Sequence, residues 1–169
     1  LSPHLLELIK IAKMGEYERA IRYSKKLFQQ YENSPLFLNT MGIIYRRTKD
    51  YGQARFVTEK ALGLDNTLVQ AKLNIASIDI EEGLVDKAIY TLKNVLKENK
   101  NYSEAMTNLA YAFKKKGDFN SSIRYYRKAL ELPKKLPRSY FNLGTSLLSI
   151  KKFKEGWEKY EYRWKVDPG

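Results

Sequence analysis

The 169-residue chain contains no cysteine and only one histidine. Without cysteine there is no disulfide, no zinc–thiolate cluster and no thiol nucleophile. The lone histidine, His4, follows Pro3 near the start of the chain. One imidazole is too few for a transition-metal site, so His4 reads as a surface residue. Five prolines and nine glycines are too sparse for a low-complexity linker. No apolar run approaches the ~20 residues that cross a bilayer, so membrane insertion is not expected. A glycine-rich phosphate loop, a second histidine and a paired-carboxylate pocket are all missing, so neither catalysis nor a cofactor is expected. The chain opens on Leu1 with no signal-peptide pattern. It reads as a piece of a longer protein, with the cytoplasm as the expected compartment.

Basic residues, in contrast, are abundant. Thirty-one Lys and Arg stand against nineteen Asp and Glu, a net charge of +12. The excess concentrates after Ser103: residues 103–136 hold eight basic and three acidic residues. A field of that sign favours acidic partners, although a lysine-rich surface also serves solubility. The hydrophobic share is 43% and the charged share 30%, a globular balance.

The strongest signal is a repeat. Gly15-Glu16-Tyr17, Lys49-Asp50-Tyr51, Gly83-Leu84-Val85, Gly117-Asp118-Phe119 and Lys151-Lys152-Phe153 follow one another at a constant interval of thirty-four, without insertion or deletion. Three residues after each aromatic or valine stands a small residue: Ala20, Ala54, Ala88, Ser122 and Gly156. Nine residues before it stands another: Gly42, Ala76, Ala110 and Gly144, with Leu8 as the exception in the first repeat. Apolar residues favour positions 4, 7, 8 and 11 of each repeat, which is helical spacing. In the fourth repeat these are Met106, Leu109, Ala110 and Phe113. A polar turn and a second amphipathic helix follow, as in Ile123, Tyr126 and Leu130. The small residues let the two helices of a hairpin approach closely. Pro35, Pro133, Pro137 and Pro168 fall at repeat boundaries, where a helix must stop.

This pattern resembles the tetratricopeptide repeat family over essentially the whole chain. Leu38, Met41, Gly42, Tyr45, Ala54 and Ala61 match the family pattern in the second repeat, and Tyr140, Leu143, Gly144 and Pro168 match it in the fifth. Two positions depart: Glu7 replaces an expected leucine, and Asp79 replaces the tyrosine at position 11. The Asp79 carboxylate is either displaced outward or buried with a partner. The resemblance implies an all-α, right-handed superhelical solenoid of five helix-turn-helix repeats, one domain over 1–169 with repeats at 1–34, 35–68, 69–102, 103–136 and 137–169. Such hairpins bury their apolar faces only by stacking on neighbours. It also implies a protein-binding scaffold whose first helices line a groove.

At 100° per residue, positions 2, 6, 9 and 13 of each first helix lie opposite the core-facing stripe. Asn74, Asn108 and Asn142 recur there, one in each successive repeat. Asparagine is a mediocre helix former, so local stability does not explain the recurrence. Its amide both donates and accepts, and can pair with a peptide backbone. The row is similar to the asparagine ladder in the repeat regions of O-linked N-acetylglucosamine transferases. Equally, an asparagine retained through duplication can simply be solvated. The expected peptide-binding residues are Asn74, Asn108, Asn142, Tyr111, Phe141, Thr145, Arg47, Lys115 and Arg138. Arg46-Arg47, Lys114-Lys115-Lys116 and Lys151-Lys152 end first helices, where they complement the helix dipole or form a basic rim that selects acidic ligands. The family's two-carboxylate clamp needs Lys at position 5 and Asn at position 9 of one repeat, and no repeat has both.

The last helix is expected to carry Trp157, Tyr160, Tyr162 and Trp164, an aromatic face that would pack on a following domain or on a second copy of the chain. Trp157, Tyr160 and Trp164 are the expected self-association residues. The stretch Phe153, Glu155-Gly156-Trp157, Tyr160-Glu161 and Arg163-Trp164 is similar to the last repeat of bacterial proteins that join such arrays to glycosyltransferase- or sulfotransferase-like domains. That resemblance implies a second reading, a substrate-docking or regulatory arm of a larger enzyme. Nucleic acid is a third reading, disfavoured because no base-reading pair recurs and acidic residues interleave the basic ones.

Overall fold

A computed structural model describes residues 2–134 and 136–165. Among these residues lie ten α-helices and one 3-10 helix, with no strand. The helices are α1 (Pro3–Lys13), α2 (Tyr17–Tyr31), α3 (Pro35–Arg47), α4 (Tyr51–Leu64), α5 (Val69–Glu81), α6 (Val85–Glu98), α7 (Ser103–Lys116), α8 (Phe119–Glu131), α9 (Pro137–Ser149) and α10 (Phe153–Tyr160). The five second helices begin one full repeat apart, as do α3, α5, α7 and α9. The sequence period is thus the period of the backbone. Pro168, expected to close the last repeat, lies outside the described residues.

Local chemistry explains the boundaries. Ser2 and Ser34 cap α1 and α3, each accepting a hydrogen bond from the backbone amide three residues on, and a proline opens both helices. Asp50 and Asp118 cap α4 and α8 in the same way, at 3.1 and 3.0 Å. The turn inside each hairpin places one residue in the left-handed region: Gly15, Lys49, Gly83, Gly117 and Lys151 all have φ between 62° and 84°. Three are glycine, which adopts this conformation without cost, and two are lysine, which does not.

The chain divides into two compact units, one up to Ile78 and one from Asp79. In the first, α1 packs on α2 and α3, α2 on α3, and α3 on α4. Its core is built on Leu8, Phe37, Leu38, Ile44, Ala54 and Ala61, and Tyr31 lies 5.4 Å from the Phe37 ring. The α1 helix buries only Leu5, Leu8 and Ile11, while Glu7 is half-buried beside Lys10. His4 is exposed, as expected of a surface residue, with Nδ1 3.2 Å from the Tyr23 hydroxyl.

In the second unit α6 packs on α7, α7 on α8 and α9, α8 on α9, and α9 on α10. Leu109, Ala110, Tyr126, Leu143 and Leu147 are fully or almost fully buried there. Asp79 resolves to the buried alternative: it has no exposure, and Lys87 Nζ stands 3.6 Å from its carboxylate. Gly144 faces the α10 backbone so closely that a Cβ would meet Tyr160 N at 2.5 Å and Gly156 O at 2.8 Å. The expected close crossing of a hairpin is therefore literal at this position.

The aromatic terminus departs from expectation. The α10 helix stops at Tyr160, and Glu161–Lys165 tightens into a 3-10 helix. The Tyr162 ring there stacks on Tyr140 at 4.2 Å and 16°, a contact that draws the segment onto α9. Trp157 and Trp164 remain exposed, while Tyr160 is half-buried against Phe141.

Candidate groove-lining face

The expected groove residues separate by depth. Positions 2, 9 and 13 lie outward: Arg47, Lys115 and Arg138 are exposed, and Tyr111 and Thr145 half-exposed. Position 6 behaves differently. Asn74 retains 4% of its surface and Asn142 retains 7%, whereas Asn108 is half-exposed.

The burial of Asn74 has a visible cause. Its amide nitrogen donates to Thr58 Oγ1 at 3.0 Å, and Thr58 in turn donates to the Ala54 carbonyl at 2.7 Å. Its oxygen accepts from Arg46 Nε at 3.0 Å. Gly42 opens the space, because a Cβ there would strike both Thr58 and Asn74. In unit 1 this asparagine therefore joins helices and does not point its amide outward. Arg47, Leu36 and Ile43 form the exposed part of that face.

In unit 2 the equivalent face carries a row of cations. Arg138 Nη2 lies 3.5 Å from Asn108 Oδ1, at the outer limit of a hydrogen bond. Lys114 Nζ donates to Thr145 Oγ1 at 2.7 Å, reaching from α7 to α9. Lys115 Nζ sits 5.5 Å from the centre of the Tyr111 ring, a cation–π distance. The Tyr111 hydroxyl reaches Glu81 at 3.5 Å. Burial holds the Lys114 ammonium below its ordinary pKa, and the neighbouring Lys115 adds to the effect. Phe141, expected in the groove, packs on Tyr160 at 5.3 Å and serves the α9–α10 contact.

Three features were hidden from sequence. Arg46 and Lys114, read as dipole or rim residues, each reach across to the next first helix. Thr58 puts a small hydroxyl-bearing side chain where the following repeats have the larger Leu92, Tyr126 and Tyr160. That hydroxyl, one second helix ahead of Asn74, was the available signal for an internal pair. Tyr126 is the third: its side chain is fully buried and its hydroxyl has no hydrogen-bond partner among the described residues. Burial pushes its pKa up, Arg138 opposes the shift, and Tyr111 adds to it, so the hydroxyl lies in the field of the groove-face residues. Among the described residues no group of three or more His, Asp or Glu could hold a metal ion, and no helix is long and apolar enough to cross a membrane.

Paired helices at a constant period, with a polar and cationic face along the first helices, define a helical-hairpin repeat protein. The tetratricopeptide repeat family matches residues 37–68 and 103–135, so these two stretches carry tetratricopeptide repeats. No curated protein matches it in sequence. Among solved structures it is similar to TTC0263, a thermophilic tetratricopeptide protein of Thermus thermophilus, with TM-score 0.85 at 14% identity over 98% of this chain and 90% of that one. It is also similar to MamA (residues 41 to the end) from Desulfovibrio magneticus RS-1, at TM-score 0.70 and 21% identity over 96% and 92%. A third is YrrB, described as a tetratricopeptide protein with an unusual peptide-binding site, at TM-score 0.60 and 16% identity over 98% and 86%. At these identities the likeness concerns the fold. Nothing in these matches supports the expected link to glycosyltransferase or sulfotransferase domains.

Proposed function

We propose that the chain is an interaction scaffold whose α7/α9 face binds an extended acidic segment of a protein partner. Supporting this reading above all is the cationic row of Lys114, Lys115 and Arg138, with Tyr111, Asn108 and Thr145 between them. Lys114 is oriented by the Thr145 hydroxyl and Arg138 by the Asn108 amide, neighbours that carry no full charge, so their attraction for a carboxylate is retained. The weak 3.5 Å contact of Arg138 with Asn108 is readily exchanged for a charged acceptor. YrrB, whose description names a peptide-binding site, lends the peptide reading a structural parallel.

Asn108, Tyr111, Lys115, Arg138 and Thr145 form the proposed contact surface, and Asn142 lies at its buried edge. In unit 1, Arg47 is proposed as a contact of its own, and Asn74 as a structural support. Three or four net hydrogen bonds of ~1 kcal/mol each fall short of the ~8 kcal/mol of a micromolar complex, so the charges must contribute. The test is binding of an acidic peptide array to the wild type and to Asn108→Ala with Arg138→Ala. The reading requires weaker capture of Asp- and Glu-rich peptides by the double variant. Unchanged capture across the array overturns it.

A further inference from the structure

A cleft of about 360 Å³ lies in unit 2 between α8 and the turn that joins α9 to α10. It shares no residue with the α7/α9 contact surface. Ile123 and Ile150 form an apolar floor, and Arg124, Arg127, Lys128 and Lys152 form the walls. Their charges are not equally available. Arg127 is held by both oxygens of Glu155, at 2.8 and 2.9 Å. Arg124, Lys128 and Lys152 form no salt bridge among the described residues. Arg124 and Lys128 are instead ordered by an aromatic ring: the guanidinium lies 5.2 Å and the ammonium 5.9 Å from the centre of Tyr125. Tyr125 is itself fixed by stacking on Phe113 at 5.5 Å and 8°. An aromatic partner orders a cation without cancelling its charge, whereas a carboxylate cancels it. The cleft is therefore a pre-ordered cationic rim around a greasy floor.

We infer that this cleft is a second docking site, independent of the groove face, for an acidic protein segment with one bulky apolar residue among its carboxylates. The apolar side chain sits on Ile123 and Ile150, and flanking Asp or Glu side chains pair with Arg124, Lys128 and Lys152. A nucleic acid suits the cleft less well. The isoleucine floor offers a base or sugar no polar partner. Two docking sites on one short unit would let a single partner chain bind with the gain of linked contacts.

The absence of native cysteine allows a local reporter. Asn120→Cys, on the exposed lip of the cleft, carries an environment-sensitive dye, and Ser149→Cys carries the same dye on the α9 side in a separate protein. The probe is a short peptide with leucine at its centre and Asp and Glu on both sides. A saturable signal is expected at the Asn120 dye. It weakens about tenfold with Arg124→Glu plus Lys128→Glu, weakens less with Lys152→Glu, and persists in Lys115→Ala plus Arg138→Ala. Replacing the central leucine by serine also weakens it. Circular dichroism confirms that each variant folds. The inference falls if the Asn120 dye stays silent, if its response survives the double charge reversal, or if a single-stranded oligonucleotide produces it at lower concentration than the peptide. Loss of the Asn120 response in the Lys115 and Arg138 variant likewise overturns the independence of the two sites.

Discussion

Asn74 donates its side-chain amide to the hydroxyl of Thr58 at 3.0 Å, and that bond separates this asparagine from its equivalents one and two repeats on. Asn74→Ala breaks it and removes the acceptor of Arg46 as well. Thr58 keeps its own bond to the Ala54 carbonyl, so its buried hydroxyl donor is not stranded. The expected cost is about 1–3 kcal/mol, two hydrogen bonds at their usual net worth. Asn108→Ala, at a half-exposed site, should cost less than about 1 kcal/mol. Urea denaturation of the two variants compares them directly. Equal losses would mean that the Thr58 contact contributes nothing.

The hairpin turns offer a test in which nothing is contacted. Lys151 adopts φ 62° where Gly117 adopts 84°. A side chain in the left-handed region costs roughly 1 kcal/mol relative to glycine. Lys151→Gly should therefore stabilise unit 2 by about that amount, offset slightly by the greater freedom of an unfolded glycine. Gly117→Ala should destabilise it by a similar amount, although a Cβ at Gly117 meets nothing within 4 Å. Thermal melts that move in the same direction for both substitutions would contradict the backbone account.

Gly144→Ala tests close approach instead of conformation. Its Cβ would fall 2.5 Å from a backbone nitrogen of α10, an atom that cannot swing aside as a side chain can. The two helices must separate, and a loss above about 2 kcal/mol is expected, in the range of overpacked core substitutions. A loss below about 1 kcal/mol would show that α10 is free to shift away from α9.

These residues also show how much was legible beforehand. The repeat period, the positions of the hairpin turns and the close crossing at Gly144 were all written in the sequence, because each depends on residue size and spacing along one or two helices. The depth of the asparagine row was not. Angle alone places position 6 opposite the core of its own hairpin, but burial at that position is set by the neighbouring hairpin, through Thr58 and Gly42 in one case. Asp79 was legible as a departure, and its burial against Lys87 was not, for the same reason. The aromatic segment after Tyr160 reads as helix by spacing, and the Tyr140–Tyr162 stack overrides that preference.

Lys114 gives the groove face a pH signature. The folded chain holds its pKa below the ordinary 10.5, chiefly through burial. Near pH 7 the lysine is protonated in both folded and unfolded chains, and the folded one bears the cost of burying the charge. As pH rises past the folded pKa, the native state releases its proton first, and that cost disappears before the unfolded chain titrates. Stability contributed by this group therefore rises with pH up to about 10.5. Any advantage of Lys114→Met over the wild type should shrink across the same interval. An advantage that is constant or grows with pH, measured by denaturation at fixed ionic strength, contradicts the assignment.

Tyr126→Phe separates stability from binding. The wild-type hydroxyl is buried without a hydrogen-bond partner among the described residues, a state that costs about 1–3 kcal/mol. Phenylalanine keeps the ring that packs against Ala110, Ile123, Leu143 and Leu147, and removes the stranded polar atom. The free protein should become more stable by about 1 kcal/mol, the lower end of that cost. If the proposed acidic ligand accepts a hydrogen bond from this hydroxyl, the same substitution weakens binding by roughly threefold to tenfold, the equivalent of one net bond. A variant that is more stable and binds less well supports a hydroxyl held in reserve for the ligand. One that is more stable and binds equally well makes Tyr126 a packing residue alone and moves the ligand outward, onto Tyr111, Lys115 and Arg138.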